Sequence, residues 1–291
     1  MIVLVLLGLF FSAQILGIVI LARYVDYAKS SETKMLVFKS LPFAIERPEV
    51  APEYSFAYIM AGVLVATGMM LLIIHFGRVN LWRFWYLLSV IFCLLIAWTA
   101  FVPEEWGLLL AIFFGVWKVF RPNVLVHNLT ELLMYGGLVV VFAPILNLMS
   151  VTILLLLISS YDMYAVWKSK HMITMAKFLT ETKTFAGLFL PYKPMSTQKV
   201  QGPTIKVKVR NAVLGGGDMA FPLLFTSVVF KEVFLSFGFT PAFYLRMVIV
   251  PICATIALAL LFWQSKKDVF YPAMPFLSTG CFIGYGIVLI M

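Results

Sequence analysis

Charge is scarce in this sequence. Of its 291 residues 12% are charged against 63% hydrophobic, and the mean hydropathy is +1.01. A soluble domain of that length cannot bury so much apolar surface, so the composition excludes one and indicates a polytopic membrane protein. Cysteine is nearly absent. Cys93, Cys253 and Cys281 fall inside apolar runs without ligand-like spacing, so neither a disulfide framework nor a zinc site is expected; they read as packing residues. Histidine occurs three times, and no His-Glu-x-x-His is present, which weighs against an intramembrane zinc protease. No Gly-x-Ser-x-Gly occurs either, which weighs against an intramembrane serine protease.

The formal net charge is nevertheless +9. The lysines and arginines cluster between apolar runs, so they are assigned to anionic lipid headgroups and not to nucleic acid. The first run, Ile2 to Ala22, is about 20 residues long without a preceding basic stretch, as expected of a spanning helix and not of a cleaved signal peptide. Nine spans are expected, at 2–22, 54–75, 82–102, 106–120, 124–145, 148–167, 213–235, 241–263 and 272–290, the fourth being short. No fixed-period repeat and no inverted pair of interrupted helices accompanies them. The chain divides into an N-terminal membrane part (1–167, spans one to six), a loop (168–212) and a C-terminal membrane part (213–291, spans seven to nine).

Orientation follows from basic residues in short loops. Arg78, Arg83, Lys118, Arg121, Lys266 and Lys267 lie on the side of the amino terminus, and loop 168–212 adds nine more. The short loops opposite, around 103–105, 146–147 and 236–240, hold none. Loop 23–53 argues the other way, but its five basic residues are mixed with Asp26, Glu32, Glu46, Glu49 and Glu53. The amino terminus is expected inside and the carboxyl terminus outside.

Only four aspartates exist, and two fall within spans: Asp162 and Asp218. Asp162 lies six residues, ~9 Å, from the inner end of the sixth span, and Asp218 is at most ~12 Å deep in the seventh. Both therefore sit at similar depth below one face. Each carries an insertion penalty of about 2.5–3.5 kcal/mol at mid-helix, somewhat less nearer the interface, so neither is incidental. Facing each other, two such groups cannot both ionise and would share one proton across neutral pH. One then draws a proton from water while the other donates to a carbonyl oxygen. An interhelical hydrogen-bonding pair, or a proton relay in a cation channel or proton-coupled transporter, fits the two positions equally.

Gly215, Gly216 and Gly217 precede Asp218, and without side chains they let another backbone approach it, or they serve ordinary close helix packing. Tyr161 stands beside Asp162 as a hydrogen-bonding or packing residue. Pro272 and Pro275 remove two backbone donors, so an extended loop with free carbonyls is expected at the start of the last span. Upstream of the glycines, Ile205, Val207 and Val209 alternate with Lys206, Lys208 and Arg210, a period of two that predicts a short strand. Its open edge is expected to pair with an unwound substrate, and Val207→Pro to impair cleavage; a basic strand lying on headgroups is the alternative. Residues 169–183 read as an amphipathic interfacial helix, His171 being a surface residue. His127 and Glu131, four apart, could share a helix face as metal ligands, but without a third ligand an interhelical hydrogen bond or headgroup contact is the better reading. Lys231 and Glu232 are expected to reach the outer interface.

Tyr161-Asp162, Gly215-Gly216-Gly217-Asp218 and Pro272-Ala273-Met274 together resemble the three signatures of the presenilin and signal-peptide-peptidase family of Gly-x-Gly-Asp intramembrane proteases. The stretch from Tyr161 to Pro191 is particularly similar to archaeal presenilin homologues. Prepilin peptidases share Gly-x-Gly-Asp, but the Pro-Ala-Met element argues against them. The resemblance implies an all-α, nine-helix presenilin-like fold and an aspartic endopeptidase acting within the membrane. It implies Asp162 and Asp218 as the catalytic pair, and a substrate-binding loop at Pro272, Ala273 and Met274, where leucine is usual at the last position. It implies no metal or organic cofactor. The implied substrates are single-span membrane proteins or signal-peptide-like segments, cut near the cytoplasmic side of a cell membrane. Oligomeric state stays open, and no obligatory partner subunit is evident.

Overall fold

In the computed structural model, residues 2–121, 123–169, 175, 178–179, 184–191, 211–238, 240–265 and 271–291 are described. Helices form at each of the nine expected segments. They are α1 (Ile2–Arg23), α3 (Ser55–His75), α4 (Val79–Thr99), α5 (Glu104–Phe120), α6 (Val124–Phe142), α7 (Leu148–Tyr164), α8 (Gly216–Phe237), α9 (Pro241–Gln264) and α10 (Met274–Ile290). A short α2 (Tyr27–Thr33) follows the first of them. Seven, with the short turns that extend α6 and α7, are long and apolar enough to cross a membrane; α5 and α10 are shorter, at 17 residues each. The chain is a multi-pass membrane protein, and its described residues form helices with one small two-stranded sheet.

Helix starts follow local chemistry. Asn123 accepts a hydrogen bond from the Leu125 amide at the start of α6, Asn147 from Ser150 at α7, and Thr240 from Phe243 at α9. Each satisfies an amide that the first turn leaves without a partner. The hairpin pairs β1 (Gly187–Pro191) with β2 (Asn211–Gly215), antiparallel, with Gly187 opposite Gly215 and Phe189 opposite Val213.

Helix α8 is the most buried of the long helices and packs against α1, α6, α7, α9 and α10. Its neighbours bury Met219 and Ala220 near its start and leave Gly217 exposed. Helix α3 is the least buried and touches mainly α7 and α4. The expected strand residues Ile205, Val207 and Val209, and His171 with most of the expected interfacial helix, lie outside the described residues. What is described is a strand beginning at Asn211, which runs without a loop into α8: Gly215 ends the one and Gly216 begins the other. The three cysteines are free.

Candidate active site

A cavity of about 180 Å³ opens among α3, α7, α8 and α10. Asp162 from α7 and Asp218 from α8 both line it, with Tyr161, Gly215, Gly217 and Met274. Asp162 is buried, 7% exposed; Asp218 is half-buried. The charge on Asp162 acts on Asp218, as expected of two carboxylates in one small space. Val63 and Thr67 bring the loosely packed α3 to the same cavity.

Each carboxylate is held by backbone. Asp162 Oδ2 accepts the Met274 amide at 3.1 Å, and the Ala273 amide lies beside it. These are first-turn amides of α10, whose positive end points at the carboxylate. The expectation for this loop is thus corrected. Ala273 is not extended, with φ −84° and ψ −29°, and its carbonyl accepts from Leu277 to open the helix. The expectation is corrected at Ala273 alone, where the chain offers Asp162 a donor and its carbonyl is already taken. Pro272 and Ala273 are buried behind the cavity without lining it. Directly after Asp162, α7 widens into a π-helical turn, Ala165–Ser169, a distortion that is common at functional positions.

Asp218 is the third residue of α8, and it turns back onto Gly215, the residue that caps the helix. An acidic side chain at that position satisfies the cap amide and suits the helix dipole. Pro222, four residues on, has no amide to give the Asp218 carbonyl. The loosened turn is tied to α1, whose Gln14 Nε2 donates to Met219 O at 3.0 Å. Sequence inspection missed Gln14, a single amide in an otherwise apolar helix.

The glycines divide by role. A side chain at Gly216 would meet the Tyr135 hydroxyl at 2.9 Å and the Ala186 carbonyl at 3.3 Å, so the close approach of β1 requires glycine there. Gly215 would place a methyl 3.1 Å from Asp218 Oδ2. Gly217 has ordinary room against Phe221 and faces the cavity. None of the three has a positive φ.

His127 and Glu131 do not converge on a metal-like centre. Both turn to the backbone of Gly187 in β1, with Glu131 also bound to Lys118 and Tyr135. Lys231 Nζ donates to the carbonyls of Ala143, Pro144 and Leu146 in the turn between α6 and α7, closing the end of α6.

Two aspartates lining one cavity inside an apolar helical bundle is the arrangement of an intramembrane aspartyl protease. Residues 15–291 match the model of the family described as signal-peptide peptidase, presenilin aspartyl protease, and the chain belongs to that family. No curated protein matches the sequence. The fold is similar to that of a presenilin family intramembrane aspartate protease solved in two space groups. The C222 structure gives a TM-score of 0.63 at 16% identity, covering 100% of this chain and 99% of that one. The P2 structure gives 0.60 at 15% identity, covering 98% and 96%. The chain is accordingly an intramembrane aspartyl protease.

Proposed function

We propose that Asp162 and Asp218 are the catalytic pair and that the chain hydrolyses peptide bonds of membrane-spanning helices. The observation that carries this assignment is the single small cavity lined by both carboxylates. With one proton between them, the ionised member takes a proton from a water held in the cavity while the protonated member donates to the substrate carbonyl oxygen. The water oxygen bonds to the carbonyl carbon, giving a tetrahedral diol. Collapse breaks the C–N bond as the newly protonated carboxyl gives its proton to the leaving nitrogen and the other carboxylate takes one from a diol hydroxyl, which returns the pair to its starting state.

A helical peptide bond is shielded by its own hydrogen bonds and side chains, so the substrate must unwind to react. Strand β2 supplies a template. Gly187 and Phe189 direct their backbone groups away from β2, so by the alternation of an antiparallel pair Gly215 and Val213 direct theirs away from β1. Among the described residues no third strand pairs with that edge, and Asp218 meets it only at the Gly215 amide. An extended substrate added there runs toward Asp218. Ile205, Val207 and Val209, in the loop 168–212 between membrane parts 1–167 and 213–291, are proposed as further substrate contacts from their alternation in the sequence alone. Tyr161, Gly217 and Met274 would contact the substrate inside the cavity, with Pro272 and Ala273 supporting them.

The basic loops support nine spans with the amino terminus inside, the carboxyl terminus outside and the carboxylates near the cytoplasmic face. Single-span proteins and signal-peptide-like segments have the length and polarity to reach them. The test is incubation of the purified chain with a single-span peptide in liposomes, with fragments read by mass spectrometry. Fragments that vanish in both Asp162→Ala and Asp218→Ala are expected; fragments surviving either change, or ion flux without fragments, would overturn the assignment.

A further inference from the structure

The inner end of α6 carries polar side chains that the hydrolytic step does not use. Asn128 makes two bonds to one residue of β1: its amide donates to Phe189 O at 2.9 Å, and its Oδ1 accepts from Phe189 N at 3.0 Å. Two strand positions away, Glu131 Oε2 accepts from Gly187 N at 3.0 Å. His127 Nε2 lies 2.8 Å from Gly187 O and must be the donor, since a carbonyl only accepts. A strand neighbour would engage the same four backbone groups. Here a helix supplies them from side chains.

The consequence is a sheet with one edge closed. A two-stranded hairpin at this depth has two edges, and unsatisfied backbone groups are costly away from water. On the β1 edge, α6 satisfies them at Gly187 and Phe189; on the β2 edge Asp218 meets the Gly215 amide, and Val213 directs its backbone groups outward without a strand partner among the described residues. Because side chains alternate, a strand can slip only by two residues without turning its apolar face around. Such a slip moves β1 by about 7 Å along α6, β2 being held by its continuity with α8.

We propose that Asn128, Glu131 and His127 are positioning residues that lock the register of the hairpin, and so decide which substrate peptide bond meets the carboxylates. This rests on substrate pairing with β2 as proposed above. Glu131 is held in turn by Lys118 of α5, so the lock is anchored to a second helix.

The experiment maps cleavage positions in a single-span model peptide in liposomes for the unaltered chain, Asn128→Ala, His127→Phe and Asp218→Ala. Asn128→Ala removes both bonds to Phe189; His127→Phe keeps the ring packing against Phe189 and removes the donor to Gly187. Both are expected to lower turnover at the principal bond, Asn128→Ala by about tenfold for hydrogen bonds of ordinary worth. Both are also expected to raise products displaced by two residues, which loss of stability alone would not produce. Amide exchange over 184–191 should quicken in Asn128→Ala. Wild-type cleavage patterns in both folded variants, with Asp218→Ala silent, overturn the lock and leave the aspartate pair standing. Fragments persisting in Asp218→Ala overturn the pair itself.

Discussion

The backbone amide of Met274 donates to Asp162 Oδ2 at 3.1 Å, joining residues 112 positions apart in sequence. Met274 is the first residue of α10, where proline is well tolerated because its fixed φ suits a helix start. Met274→Pro should therefore preserve the helix while deleting this donor. A hydrogen bond to a charged group is worth about 1.5–3 kcal/mol, so cleavage should fall by roughly one to two orders of magnitude. Met274→Leu keeps the amide and should cleave at close to the unaltered rate. Initial rates on one peptide substrate, with melting temperatures as control, distinguish the two.

A pair that shares one proton is active only in its singly protonated form. Cleavage should rise as the first proton leaves the pair and fall as the second leaves, giving a bell-shaped pH profile. Asp162→Asn should abolish activity at every pH, because the amide can neither accept the water's proton nor return one. Rates over the pH range in which the liposomes stay intact provide the check, and a profile flat across that range contradicts the shared proton.

Gly216 and Gly217 should respond differently to alanine. At Gly216 the methyl collides with Tyr135 and the backbone of Ala186, so thermal stability should drop by about 1–3 kcal/mol with hairpin packing. At Gly217 the methyl has space and projects toward the cavity, so the melting temperature should hold while turnover falls. Melting curves and rates on the two proteins separate these effects.

Lys118 and Glu131 form an ion pair with side chains almost wholly buried. Lys118→Met leaves an uncompensated carboxylate in an apolar bundle, which should destabilise the fold by about 3–5 kcal/mol. Adding Glu131→Gln removes that charge and retains an acceptor for Gly187, so the double variant should recover most of the loss. Thermal melts in one detergent measure both.

The helices were legible because each long apolar run matches the membrane thickness. The similar depth of Asp162 and Asp218 was legible from their spans; that both line one cavity depends on helix packing, which span positions do not carry. The hairpin was harder. Val213 and Leu214 belong to β2, yet they continue the apolar run of α8, and hydropathy does not tell a short buried strand from a helix. Strand β1 is five apolar residues with no alternation. The pairing of His127 and Glu131 was visible, but their target lies 60 and 56 residues away on a backbone, where no side-chain pattern marks it. Asn128 gave no signal beyond being polar.

Strand β2 passes into α8 between Gly215 and Gly216 with no intervening segment, three residues before Asp218. The strand and the acid are therefore parts of one continuous stretch of backbone, so whatever fixes the place of the strand also fixes, within one helical turn, where the carboxylate stands.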